Sequence, residues 1–270
     1  MNIIEITSVD DPRIAHYVSL NDNSLRSSQL ASSGVFIAES PKVIQAALDN
    51  GYLPESLLCE RKHIDGDAKA IVERLGPNIP VYTGVREVLA AITGYVLTRG
   101  VLCSFSRRPV APVSSVIQDA RCVAVLDKVC DTTNIGSIFR AAAALGVDAV
   151  LLTPGTCDPL NRRAIRVSMG TVFRIPWTWL DIPVDSLKQF GFRVVAMALK
   201  DNSVVLEDLE ISPYEKIAVV LGTEGDGLSD ETIDRCDQTV IIPMDKEVDS
   251  LNVGSAAAIT FWHLRNKLKI

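Results

Sequence analysis

The segment Cys122-Val123-Ala124-Val125-Leu126-Asp127-Lys128-Val129-Cys130-Asp131-Thr132-Thr133-Asn134-Ile135-Gly136-Ser137-Ile138-Phe139-Arg140 changes its hydrophobic period midway. Its first five residues are apolar without alternation, the pattern of a strand buried on both faces of a parallel sheet. From Ile135 the apolar positions Ile135, Ile138, Phe139, Ala142 and Leu145 follow the i, i+3, i+4, i+7 spacing of a helix packed along one stripe. Strand, polar loop and one-sided helix make the first half of a βαβ unit. Further downstream, Ala149–Leu152, Val194–Ala198, Ile217–Leu221 and Val240–Ile242 are expected as strands. Trp177 and Trp179 alternate in another expected strand and are assigned to the core. A final helix is expected from Val253 to Lys267, with Arg265, Lys267 and Lys269 where cations favour a helix C-terminus. Residues 119–270 therefore form an α/β domain with a parallel sheet.

Upstream, Val35–Ala38, Ser56–Cys59, Ile79–Tyr82 and Val101–Phe105 are expected strands, separated by helix-period stretches such as Lys42–Leu48 and Ala68–Leu75. These make a smaller α/β domain over residues 1–107. Between the two, Arg107–Ser115 carries two prolines and two serines and no apolar period, so residues 108–118 are expected to be a linker. Two domains suit a chain of 270 residues.

Composition removes several function classes. The balance of 27 basic and 33 acidic residues gives a net charge of −6, so any nucleic-acid binding must rest on local patches. One such patch lies between Asp158 and Asp181, where Arg162, Arg163, Arg166 and Arg174 occur without an acid. By contrast, Asp201 to Asp249 holds fourteen acids against Lys216, Arg235 and Lys246. The six cysteines form no CxxC and pair with none of the three histidines at ligand spacing, so no metal is expected and the thiols are expected to be buried and free. The histidines stand apart and no nucleophile elbow occurs, which leaves Ser/His/Asp or Cys/His catalysis without support. No apolar run approaches the roughly 18 residues of a membrane span, and Met1–Asp11 is acidic, so a cytoplasmic protein with no membrane partner is expected.

Three loops follow expected buried strands, the position at which open α/β sheets bind ligands. In Asp131–Arg140, Asn134 or Thr133 either caps the helix, or Asn134 stands at its mouth with Arg140 about 9 Å further along the axis, bracketing a polyanion or a reacting hydroxyl. In Leu221–Ser229, three glycines within six residues admit positive φ and bring a ligand close to bare backbone, and Ser229 can cap the next helix. This pattern is neither GxGxxG nor GxxxxGK[ST], and Glu224 and Asp226 would repel phosphate, so a cationic or zwitterionic ligand suits it better than ATP. In Ile241–Ala258, Ser250 is either a helix cap or, with Asn252, part of a donor and acceptor pair at a tight turn. The small residues Gly254 to Ala258 let the final helix pack closely.

Together and in this order, the three loops resemble the signature motifs of the SpoU/TrmH branch of the SPOUT RNA methyltransferases. The first resembles Asn-x-Gly with a following Arg, at Asn134, Gly136 and Arg140. The second resembles Gly-x-Glu-Gly-x-Gly-Leu, at Gly222, Glu224, Gly225, Gly227 and Leu228. The third resembles Ile-Pro-Met followed by Ser-Leu-Asn-Val, at Ile242–Met244 and Ser250–Val253. Asn161–Pro176 is similar to the stretch between the first two motifs, and Leu25-Arg26 with Phe36–Lys42 is similar to an N-terminal substrate-binding domain like ribosomal protein L30e. Two departures stand out: Thr132 replaces a usual Pro and Lys246 a common Gly.

The resemblance implies a trefoil-knotted domain, an exception to the rule that chains avoid knots. It implies S-adenosylmethionine held by Gly222, Ile242 and Leu251, a homodimer, and transfer of a methyl group to a ribose 2′-hydroxyl of RNA. Ribosomal RNA is expected ahead of transfer RNA. The alternatives are a tRNA 2′-O-methyltransferase, a non-catalytic RNA-binding module and, outside the family, a nicotinamide enzyme. The catalytic set carried over is Arg140, Asn134, Glu224, Ser250 and Asn252. RNA-binding candidates are Arg26, Lys42, Arg162, Arg163 and Arg166, with Arg107 and Arg108 beside them.

Overall fold

The computed structural model describes residues 2–18, 34–96, 100–213, 215–223, 225–245, 248 and 250–268. Leu25, Arg26, Glu224 and Lys246 lie outside the described residues. The chain divides into two compact units, Met1–Arg108 with Leu160–Phe173, and Pro109–Pro159 with Arg174–Ile270.

The first unit is a five-stranded sheet of β1 (Asn2–Glu5), β2 (Val35–Glu39), β3 (Pro54–Glu60), β4 (Pro80–Gly84) and β5 (Val101–Ser106), in the order β1-β4-β3-β5-β2. β1, β4 and β3 run parallel, whereas β5 is antiparallel to both β3 and β2. Four of these strands sit where their apolar runs place them. β1 is an addition: it pairs with β4 at the edge, and of its two apolar residues Ile3 is exposed and Ile4 is only partly buried against the core. Tyr17, fully buried, donates to the Ser56 carbonyl at 2.9 Å and shares hydrogen bonds with the Ser56 and Ser104 hydroxyls, tying the Pro12–Tyr17 turn to β3 and β5.

Leu160–Phe173, grouped by sequence with the second domain, clusters with the first unit. The Phe173 ring lies 5.4 Å from that of Phe36 and 5.1 Å from that of Tyr52, and Gly170 is seated against Ala46. Arg162 pairs with the buried Glu39 at 3.0 Å. Aromatic packing and one buried ion pair thus outweigh chain proximity.

The second unit is a seven-stranded sheet of β6 (Cys122–Leu126), β7 (Ala149–Leu152), β8 (Trp177–Trp179), β9 (Phe192–Met197), β10 (Val204–Val205), β11 (Lys216–Leu221) and β12 (Gln238–Ile241). The order is β10-β12-β9-β11-β6-β7-β8, and every pair is parallel. β6, β7 and β11 are buried almost throughout, which is why they read as continuous apolar runs. Three details differ from expectation. The tryptophans of β8 are only half-buried, and it is Thr178 that faces inward and donates to the Ala111 carbonyl. The expected linker 108–118 contains a short helix, Val113–Ile117, whose Ile117 enters the core of this unit. Of the free thiols, Cys130 is exposed and Cys157 and Cys236 are half-buried, leaving Cys59, Cys103 and Cys122 as the buried ones.

Candidate active site

Because the second sheet is parallel throughout, the loops after β6, β11 and β12 all leave from one edge. β6 and β11 end side by side, Leu126 opposite Leu221, and the Asp127 amide donates to the Leu221 carbonyl at 2.8 Å. Asp127 itself is buried, its carboxylate accepting from the Thr153 hydroxyl at 2.7 Å and the Thr232 hydroxyl at 3.1 Å. It thereby fastens the first loop to the loop after β7 and to the helix that follows the second loop.

The first loop turns into the helix Thr132–Leu145, which ends at Gly146 in the left-handed region with φ 81°. Its cap is Asp131, which accepts from the Thr133 and Asn134 amides at 2.6 and 3.0 Å. Neither Thr133 nor Asn134 is therefore the capping residue, and the Asn134 side chain is available for another task. It is buried, and its Oδ1 accepts from Asn252 Nδ2 at 2.9 Å. Asn252 in turn caps the final helix Val253–Leu268, its Oδ1 accepting from the amides of Gly254 at 3.0 Å and Ser255 at 3.3 Å. The capping role left open for Ser250 belongs to Asn252 instead. Ser250 is exposed. Loops one and three, 118 residues apart in the chain at this contact, are joined by one amide pair. Close helix packing supports it: a side chain at Gly254 would meet the Ser137 Cβ at 3.1 Å. Arg140 is exposed on the helix of the first loop and makes no hydrogen bond or ion pair among the described residues.

The second loop doubles back on itself. Thr223 bridges Gly227, and Gly225 and Gly227 take φ of 91° and 66°. A Cβ on Gly222 would stand 2.5 Å from the Gly227 carbonyl carbon and 2.6 Å from the Leu228 amide nitrogen, so only glycine fits. Ser229 accepts from the Thr232 amide at 3.2 Å and caps the next helix as expected.

A cavity of about 540 Å³ opens between the second and third loops, lined by Gly222, Ile242, Ser250, Leu251 and Asn252 among others. Its size lies within the range of about 300–1,000 Å³ usual for small-molecule sites. Part of the wall comes from Met197–Lys200 at the end of β9, which sequence reasoning missed. No motif marks that stretch; only the strand order, with β9 between β11 and β12, brings it to the cavity. Backbone of the glycine turn and the side chains of Ser250 and Asn252 give the wall its hydrogen-bonding groups.

In the first unit, Lys42, Arg163 and Arg166 are exposed. Arg162 is not: its side chain is 14% accessible, pairs with Glu39, hydrogen-bonds the Tyr95 hydroxyl and lies over the Tyr95 ring. That withdraws Arg162 from the set of solvent-facing cations. Arg107 donates to the Val35 carbonyl at 3.0 Å, and Arg108 stacks over Tyr52 at 4.1 Å. Arg26 lies outside the described residues. Among those that are described, no cluster of His, Cys, Asp and Glu is suited to a metal ion, and no helix is long and apolar enough to cross a membrane.

Fold and site together define an α/β domain with a cofactor-sized cavity at the carboxyl ends of a parallel sheet, closed by a glycine-rich turn. The chain belongs to the SpoU rRNA Methylase family, whose model matches residues 121–262. It is 37% identical to an uncharacterized tRNA/rRNA methyltransferase of Mycobacterium tuberculosis, over 97% of this chain and 91% of that protein. It is 28% identical to the 23S rRNA (guanosine(2553)-2′-O)-methyltransferase RlmP of Bacillus subtilis, over 97% of this chain and 99% of that one. The crystal structure of an AdoMet-bound rRNA methyltransferase from Sinorhizobium meliloti superposes with a TM-score of 0.81 at 26% identity, covering 98% of both chains.

Proposed function

We infer that the protein transfers a methyl group from S-adenosylmethionine to a ribose 2′-hydroxyl of structured RNA, with ribosomal RNA the first candidate and transfer RNA the second. The observation that carries this is the Asn134–Asn252 amide pair at the edge of a cavity walled by the glycine turn, because it brings all three loops to one place. The cavity fits the cofactor: Ile242, Leu251 and the bare Gly222 backbone offer apolar surface and close approach to an adenosine. S-adenosylmethionine supplies an electrophilic methyl group on a sulfonium cation.

The protein's own task is to position a weak nucleophile. A ribose hydroxyl stays protonated near neutral pH, so in-line placement at about 3–3.5 Å and assistance with its proton carry the rate. Arg140 is the group assigned to the reacting sugar, its guanidinium donors orienting the 2′-oxygen or its neighbouring phosphate. Asn134, with its oxygen committed to Asn252, keeps its Nδ2 as a donor. Ser250 and Glu224 complete the orienting set.

RNA backbone contacts fall to Lys42, Arg163 and Arg166, and to Arg26, with the first unit acting as an L30e-like RNA-binding domain. Two further features are part of the proposal. The chain is a trefoil knot, supported by a path in which β11 enters between β9 and β6 and the chain returns past β9 to β12. The protein is a homodimer, supported by Ile259 and Trp262, 41% and 60% exposed on one face of the final helix. Incubation of separate ribosomal and transfer RNA pools with methyl-labelled S-adenosylmethionine tests the reading. Label recovered as a 2′-O-methylnucleoside is expected, and absence of label from both pools would leave only an RNA-binding module.

A further inference from the structure

Among its described lining side chains, the cavity carries one cation, Lys200, and one anion, Asp226; the rest are apolar or uncharged. A polyphosphate ligand would find one cation and a repelling carboxylate here. An α-amino acid would find one partner for each of its charges. We infer that Lys200 and Asp226 form the subsite for the amino-acid end of the cofactor, Lys200 taking the α-carboxylate and Asp226 the α-ammonium group. The inference rests on the cavity being the S-adenosylmethionine site.

Both residues are held on shaped turns. The turn after β9 is closed by Ser203, whose hydroxyl accepts from the Lys200 amide at 3.0 Å and donates to the Ala198 carbonyl at 2.9 Å. Asp226 sits between Gly225 and Gly227, both at positive φ, in the turn closed by the Thr223–Gly227 bridge. The Lys200 ammonium rests on the Asp230 carboxylate at 2.6 Å, and Asp230 is 83% exposed and not part of the cavity wall. Its hydrogen bond with Asp230, helped by Asp234 and Asp201, holds the ammonium above its usual range and therefore charged. An exposed ion pair of this kind contributes little, so the ammonium exchanges Asp230 for a ligand carboxylate at small cost. Apolar side chains elsewhere in the wall, Leu221, Ile233, Val240 and Ile242 among them, suit the nucleoside.

Calorimetry with three ligands tests the assignment. S-adenosylmethionine and S-adenosylhomocysteine carry the amino-acid end, and 5′-methylthioadenosine lacks it. Lys200→Met is expected to weaken the first two by about tenfold, the scale of one charge-assisted hydrogen bond, and to leave the third unchanged. Asp226→Asn is expected to do the same, and Lys200→Arg to restore binding. Asp230→Asn, which removes the competing carboxylate, is expected to bind S-adenosylmethionine at least as tightly as wild type. Equal weakening of all three ligands in Lys200→Met, or loss of none, overturns the subsite, as does an Asp226→Asn variant that loses S-adenosylmethionine alone. If the wild-type protein binds none of the three, the cofactor reading of the cavity fails instead.

Discussion

Replacing Gly222 by alanine should damage the cofactor site while leaving the domain folded, and the size of the effect follows from three distances. The added Cβ would stand 2.5, 2.6 and 2.7 Å from backbone atoms of Gly227 and Leu228, and none of these is the end of a flexible side chain. Restoring an ordinary 3.4 Å contact requires the second loop to move by about 0.9 Å. Overpacking of this sort costs about 1–3 kcal/mol, or roughly 2–4 °C in Tm per kcal/mol for a domain of this size. A displacement near 1 Å in a positioning loop lowers rate by about 100-fold. Thermal unfolding together with S-adenosylmethionine titration and labelled methyl transfer measures all three quantities. Gly225→Ala is the control: that site has φ 91° but nothing within 4 Å, so only conformational strain is added. If Gly222→Ala bound cofactor and turned over like wild type, the close approach of the two backbone segments would have no role in the site.

Other substitutions separate roles that coincide in one residue. Asn252→Asp keeps an oxygen for the Gly254 and Ser255 amides but loses the donor to Asn134, so stability should hold while methyl transfer falls; Asn252→Ala should lose both, with about 1 kcal/mol of stability gone in denaturant melts. Ser40 occupies φ 85° and ψ 146° with a buried hydroxyl that has no hydrogen-bond partner among the described residues, so Ser40→Gly should raise stability by about 1 kcal/mol in denaturant melts without altering turnover. Iodoacetamide on the native protein should modify Cys130 first, as peptide mapping would show. Cys59, Cys103 and Cys122 should react only on unfolding, since burial pushes Cys122 up to about 12 and covers all three.

The doubly buried strands of the second unit were legible because a parallel sheet leaves no polar face to interrupt the apolar run. The three loops were legible as segments that follow expected buried strands, and their grouping rested on the resemblance to the SpoU/TrmH motifs. What stayed hidden depends on contacts far along the chain. Arg162 looks like a solvent-facing cation beside Arg163 and Arg166, and only the pairing with Glu39, 123 positions away, turns it inward. The same Glu39, with Phe36 and Tyr52, draws Leu160–Phe173 into the first unit. The cap expected at Asn134 or Thr133 is Asp131, and the partner of the Asn134 side chain is Asn252, contributed by the last loop. β1 offers only Ile3 and Ile4 at a largely exposed sheet edge, and the place of Met197–Lys200 in the cavity wall is set by strand order and by no local motif.

On the proposed function, this pocket methylates an RNA ribose and Arg140 acts on that sugar. Mapping of 2′-O-methyl groups across ribosomal and transfer RNA, in cells lacking the gene and in cells carrying wild type or Arg140→Ala, tests it most directly. A ribose methyl is expected that disappears with the gene, returns with the wild-type protein and stays absent with Arg140→Ala, while the purified variant still binds S-adenosylmethionine. An unchanged methylation map, or full restoration by Arg140→Ala, would contradict it.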